Sequence, residues 1–380
     1  MAPPSADVDT VTSQNVLPIH EKLTGNGKKA IPSQFPAPLK YLGSLDSFEH
    51  FDVTGVIGRE FPKLQLSQIL DDDIKIRDLA ITVSQRGVVF FRNQDITNQG
   101  LKKLALKLAH LSGAPKESGL YRHPLSNYKQ TYAIDEEGAQ DDEISLISSE
   151  QRRGWWRDKV GHTKVLASGG WHSDFTFEHY PTAYGVFKVV GAPEDVGGDT
   201  LWASAYEAYD RISPVLQKTF ESLTAVHRNP GFHSQAKKGG FELVQGPRGH
   251  PENITDKDAD AYEAVHPLIR TNPVTGWKGL FTGVNSLQAG HINDVTEREN
   301  EILKDYFKQL FIENHDLQVR VRWGQDDIAI WDDRSVVHVA TNDYFGKRTA
   351  YRVSSVGEKP YLDPKSTSRR EALDSISTVV

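Results

Sequence analysis

The C-terminal part of the chain alternates. Val319-Arg320-Val321-Arg322-Trp323 sets apolar and charged residues on opposite sides with a period of two, the pattern of a half-buried strand. Asp327-Ile328-Ala329-Ile330-Trp331-Asp332 and Ser335-Val336-Val337-His338-Val339-Ala340 follow closely. Thr349 to Val356 then resumes as a strand after a turn at Asn342 to Lys347 that contains Gly346. Earlier, Gly87-Val88-Val89-Phe90-Phe91 reads as a buried strand and Phe51 to Gly58 as another. Helices are expected over Leu66 to Leu79 and through Leu101, Leu104, Leu106, Leu108 and Leu111, the second capped by Thr97. Strands at both ends of the core with helices between them predict an α+β fold: a double-stranded β-helix (jelly roll) core with flanking helices.

The 380 residues divide unevenly. Residues 1–40 are polar and punctuated by Pro and Gly, which predicts a mobile N-terminal arm with order beginning near Tyr41. One domain is expected over 41–362, followed by a tail at 363–380. A polar passage at 134–170, with an acidic cluster (Asp135, Glu136, Glu137, Asp141, Asp142, Glu143) and the Trp155-Trp156 pair, suits a lid, and the cluster itself a solvated face. A second polar excursion runs from about Asn229 to Asp260.

Composition removes several function classes. With no cysteine there are no disulfides, no thiolate nucleophile and no cysteine-ligated metal. The net charge of -7, with no basic block and its basic doublets isolated, argues against a nucleic-acid partner. No secretory signal and no membrane-spanning apolar run is evident, so a cytoplasmic protein without a membrane partner is expected. The Leu-rich helix could pack internally or between subunits, which leaves a homo-oligomer open.

His172-x-Asp174 is the residue pair with chemistry in it. On a strand the two side chains would share a face, one imidazole beside one carboxylate, and a divalent iron needs such a pair plus a second histidine from elsewhere. His338, in an apolar strand, is either that histidine or a hydrogen-bonded core residue. Arg348 and Arg352, four apart on one strand, project to the same side. Two guanidiniums turned to one interior need acidic side chains or anionic small molecules to neutralise them.

The order of these motifs is specific. His172-x-Asp174, Gly197-Gly198-Asp199-Thr200-Leu201-Trp202, Arg270-Thr271-Asn272-Pro273-Val274-Thr275-Gly276, Asp327 to Arg334, His338 and Arg348-x-x-x-Arg352 together resemble the taurine dioxygenase (TauD) family, from about Ser44 to Leu362. These are Fe(II)- and 2-oxoglutarate-dependent oxygenases, and the chain looks most similar to fungal sulfonate dioxygenase-like members. The resemblance implies iron ligands at His172, Asp174 and His338, with O2 and 2-oxoglutarate as cosubstrates. It implies that Arg348 grips the distal carboxylate of 2-oxoglutarate with help from Thr200. Arg352 and His123 would then receive the anionic group of a small substrate, with Trp171, Phe175 and Phe281 serving as pocket wall or as core.

Departures from the family's pattern bear on the substrate. Ser126 and Ser168 stand where taurine-specific members carry tyrosine and asparagine, which weighs against taurine itself. A sulfonate is the first expectation, a free aliphatic amino acid the second and xanthine the third. From other classes, a metal-dependent hydrolase and a non-catalytic jelly-roll binding module are the rivals.

Overall fold

The computed structural model describes residues 35–128, 132–134, 138–149, 167–192, 196–254, 261–341, 343–344 and 346–377. The expected arm as far as residue 34, the Trp155-Trp156 pair and Asp135, Glu136 and Glu137 lie outside them. Residues 35–40, expected as the end of that arm, pack onto the domain. Phe35 stacks on Tyr361 at 4.8 Å and the Leu39 amide donates to the Val274 carbonyl.

Among the described residues the largest sheet has eight strands, in the order 51–52, 59–61, 88–91, 328–332, 182–191, 349–356, 140–148 and 132–134. All neighbouring pairs are antiparallel except 59–61 beside 88–91. A three-stranded sheet of Gln318–Val321, Thr200–Ser204 and Val336–Ala340 faces it. Between them lies one core of Val88, Phe90, Phe187, Val189, Trp202, Val319, Val321, Trp323, Ala329, Trp331 and Val336. These residues come from both sheets, and their period-two spacing explains why every strand turns one side inward. The fold is mixed α+β.

Helices Asp73–Arg86 and Asn98–Leu111 cover the outer face of the large sheet, contributing Ile76, Leu79, Val83, Leu101, Leu104 and Leu108 to a second core with Val89, Phe91, Ile328 and Ile330. The Thr97 hydroxyl accepts from the Gly100 amide as expected of a cap. The helix expected over Leu66 to Leu79 is in fact two, because the Asp72 carboxylate accepts from the amides of Ile74 and Lys75 and starts a new one. The strand expected over Phe51 to Gly58 shortens to Phe51–Asp52, with bends before Arg59–Phe61.

Of the passage expected as a lid, the structure describes 134, 138–149 and 167–170. Gln140–Ser148, expected inside a lid, is a nine-residue strand paired with Thr349–Val356. Asp141 and Glu143 pair with Lys102, and Asp142 with Arg122, so this acidic stretch is anchored to its neighbours instead of standing free in solvent. The expected tail carries the helix Arg369–Ser377, and Arg370 on it reaches Glu207. No helix among the described residues is long and apolar enough to cross a membrane.

Candidate active site

Two of the three expected metal ligands face each other across one rung of backbone hydrogen bonds. The His172 amide donates to the His338 carbonyl at 2.9 Å and the His338 amide to the His172 carbonyl at 2.7 Å, which sets the two rings 4.3 Å apart, centre to centre. His338 stands where the alternation put it, on Val336–Ala340, opposite Trp202. The strand expected through Asp174 does not continue. After His172 the chain turns at Asp174 to Phe177, with Phe175 at φ 49°, and the turn swings the carboxylate toward both imidazoles.

One donor atom from each of His172, Asp174 and His338 lies within 4.8 Å of the others, the one such three-residue group among the described residues. The Gly170 carbonyl accepts from His172 Nδ1 at 2.9 Å, which puts that ring's proton on Nδ1 and the lone pair on Nε2. Asp174 Oδ2 is buried and has no hydrogen-bond donor. A set of two imidazoles and one carboxylate, with a buried oxygen lacking a donor, fits a divalent iron held by a facial triad. Burial pushes the Asp174 carboxyl up, but Arg352, His338 and His172 outweigh it and hold the group below the usual carboxylate range.

The same cleft, about 470 Å³ with its open mouth, is lined by His172, His338, Thr200, Arg348 and Arg352 together with Ile147, Phe187, Trp202, Trp323 and Trp331. Both arginines therefore turn inward, as their spacing predicted. The Arg348 side chain rests at 3.0 Å from where a Cβ on Gly198 would be, and Gly198 has φ 70°, so glycine at 198 suits both the backbone and the arginine's approach; at Gly197 a Cβ would instead meet the Asp343 backbone at 2.4 Å. Thr200 Oγ1 accepts from the Trp323 indole at 3.0 Å, leaving its own proton to donate. Trp331 is seated by Gly185, where any Cβ would come within 2.4 Å of the indole, and by Asp333, which accepts from its N–H at 2.7 Å.

Arg352 has a partner that the sequence did not reveal: its Nη1 donates to Asp174 Oδ1 at 2.7 Å. Its guanidinium also lies 4.9 Å above the Phe175 ring. Phe175 stacks on Tyr121 at 3.9 Å and meets the edge of His123. Behind it, Glu178 accepts from the Tyr121 hydroxyl and is gripped by Arg248 Nε and Nη2 at 2.6 and 2.7 Å, a buried pair that ties the second polar excursion to the segment after Asp174. Trp171 belongs to the core with Ala203 and Val339. Phe281 is not on the cleft wall. It packs on His227, His266 and Arg270, one layer away. Trp202, Trp323, Trp331 and Phe187 form the rest of the wall, and alternation alone assigns none of them to it.

One buried histidine, His227, and one half-buried, His123, carry a measurable consequence. Burial and then a neighbouring guanidinium, Arg352 for His123 and Arg270 for His227, push each ring down to about 3. The unfolded chain takes up protons below about pH 6.5 that these rings refuse, so stability falls as the solution is acidified. At about pH 5.5 each ring costs about 1.4 kcal/mol relative to neutral pH, and His266, also lowered, acts in the same direction. Thermal unfolding is expected at a clearly lower temperature at about pH 5.5 than at about pH 7.5. An unchanged midpoint would mean that the rings titrate freely.

Comparison with known proteins agrees with this geometry. Residues 49–354 match the family described as Taurine catabolism dioxygenase TauD, TfdA family. The alpha-ketoglutarate-dependent dioxygenase btcD of Neocamarosporium betae is 43% identical over 351 residues, covering 88% of this chain and 98% of that protein. An alpha-ketoglutarate-dependent sulfonate dioxygenase of Saccharomyces cerevisiae is 30% identical over 317 residues, covering 82% and 68%. The crystal structure of a taurine dioxygenase from Burkholderia xenovorans superposes with a TM-score of 0.60 at 23% identity, covering 84% of this chain and 92% of that one. The chain belongs to the TauD/TfdA family of dioxygenases.

Proposed function

We propose that this enzyme couples oxidative decarboxylation of 2-oxoglutarate to oxidation of a C–H bond in a small organic anion, with a sulfonate as the first candidate. The observation that carries the reading is one cleft lined by His172, His338 and a buried Arg348, with a carboxylate oxygen of Asp174 within 4.8 Å of both imidazole donors. Family membership sets aside the hydrolase and the binding module. The two facing sheets are, in this reading, the halves of a double-stranded β-helix.

Bound iron supplies the activation of dioxygen and the conversion of 2-oxoglutarate to succinate and carbon dioxide. The residues around it position and exclude. Arg348 offers a planar fork to the distal carboxylate of 2-oxoglutarate, and Thr200 adds the proton that its bond to Trp323 leaves available. The indoles of Trp202, Trp323 and Trp331 keep water from the reacting atoms. His123 is neutral and accepts the Leu125 amide on Nδ1, so its proton sits on Nε2 as a donor. That donor and Arg352 are assigned to the anionic group of the substrate, with Phe175 beneath the guanidinium.

The relatives weigh on the substrate unequally. Those above 40% identity are named only for their dependence on alpha-ketoglutarate, and the sulfonate appears in names at 30%. A free aliphatic amino acid is kept as the second reading because the partner that Arg352 already holds is a carboxylate. Succinate release from 2-oxoglutarate and Fe(II), measured across a panel of sulfonates and amino acids with mass spectrometry of the products, tests both. Stimulation by one class identifies it, whereas no succinate with any of them would count against the whole reading.

A further inference from the structure

We infer that Arg352 is a positioning residue for the iron-ligand carboxylate as well as a binder of anions, so that metal and substrate share one guanidinium. The inference rests on the reading of His172, Asp174 and His338 as metal ligands. Arg352 lies on Thr349–Val356, paired on both sides, opposite Phe187 on one strand and Ser145 on the other. Its backbone is therefore fixed by two ladders, and its guanidinium is fixed between Asp174 Oδ1 at 2.7 Å and the Phe175 ring at 4.9 Å.

The partition of donors is what gives the contact a role. Oδ1 of Asp174, 3.6 Å from His172 Nε2, is engaged by Arg352, whereas Oδ2, 4.0 Å from His338 Nε2, has no donor and is buried. A carboxylate held by one oxygen presents the other, and it loses the freedom to rotate or to take a metal with both. Partners that orient a ligand in this way typically account for 10- to 100-fold in metal affinity. On the guanidinium, Nη1 is spent on Asp174 while the buried Nε has no acceptor. An incoming anion would use the N–H donors that Asp174 leaves, those of Nη2 first, and any shift of the guanidinium toward it is transmitted to Asp174. By reciprocity, anion and metal then alter each other's affinity.

The test measures metal binding in place of turnover. Anaerobic titration of Co(II) into the parent protein, followed by its visible absorption, gives the reference affinity and ligand-field spectrum. Arg352→Gln is expected to weaken Co(II) binding roughly 10- to 100-fold and to change the spectrum, and Arg352→Lys to recover most of the loss, with circular dichroism verifying that both fold. Arg352→Gln binding Co(II) within about twofold of the parent, or more tightly, overturns the inference. If Arg352→Gln fails to fold, the parent carries the test. Methanesulfonate added to the cobalt-loaded protein is expected to shift the spectrum, and an unchanged spectrum overturns the shared guanidinium. A parent that binds no Co(II) would instead refute the assignment of the metal ligands.

Discussion

Asp174→Asn is expected to lose succinate formation by more than 100-fold, beyond the range reached by removing a mere supporting partner of a ligand. The asparagine keeps an acceptor for Arg352 and nearly the same volume, so the buried contact at 2.7 Å can survive while the anionic donor does not. Asp174→Ala goes further. It leaves the largely buried guanidinium with neither a counter-charge nor a hydrogen-bond acceptor, whereas Asp174→Asn keeps the acceptor; about 3–5 kcal/mol, the cost of breaking a fully buried pair from one side, is the upper bound. The two variants therefore separate chemistry from stability: Asp174→Asn folds and is inactive, Asp174→Ala is inactive and melts early. Activity within tenfold of the parent in folded Asp174→Asn would remove the carboxylate from the metal site.

Arg348→Gln has the second largest expected effect, and on a different parameter. The guanidinium is buried on the cleft wall, 5.3 Å from the Phe187 ring and packed onto Gly198. Held there, it can meet a carboxylate with two parallel N–H donors, each charge-assisted bond contributing about 1.5–3 kcal/mol. Losing both weakens 2-oxoglutarate by at least about 3 kcal/mol, which is about two orders of magnitude in KM. The effect on kcat at saturating 2-oxoglutarate should be smaller, because the distal carboxylate is remote from the bond being broken. Arg348→Lys is expected to fall between, since it keeps the charge and loses the fork. A KM for 2-oxoglutarate within threefold of the parent in Arg348→Gln would show that the cosubstrate is held elsewhere.

Much of the site was legible because strands have a simple grammar. His338 sits in an alternating apolar run, and the run fixed both its strand and the side it faces. Arg348 and Arg352 were paired by spacing alone, and both line the cleft. Asp174 was assigned to the right place for the wrong local reason: a turn with a positive φ at Phe175 delivers its carboxylate, and nothing in the residue type announces such a turn. The ion pair between Arg352 and Asp174 spans 178 residues, and no periodicity reaches that far. Between wall and core, Phe281 takes the core, a choice left open because an aromatic residue one layer behind a cleft has the same pattern as one on its wall. The indoles of Trp202, Trp323 and Trp331 were in view throughout, but their convergence depends on how two sheets face each other, which alternation within each strand leaves undetermined.

The rung that joins His172 to His338 ties the spacing of the two imidazoles to backbone breathing. Each imidazole hangs from a residue whose amide is spoken for by the other. Deuterium should therefore enter both amides together, only during excursions that also separate the rings. Their exchange rate reports how often the rung opens, and it can be read on the resting protein.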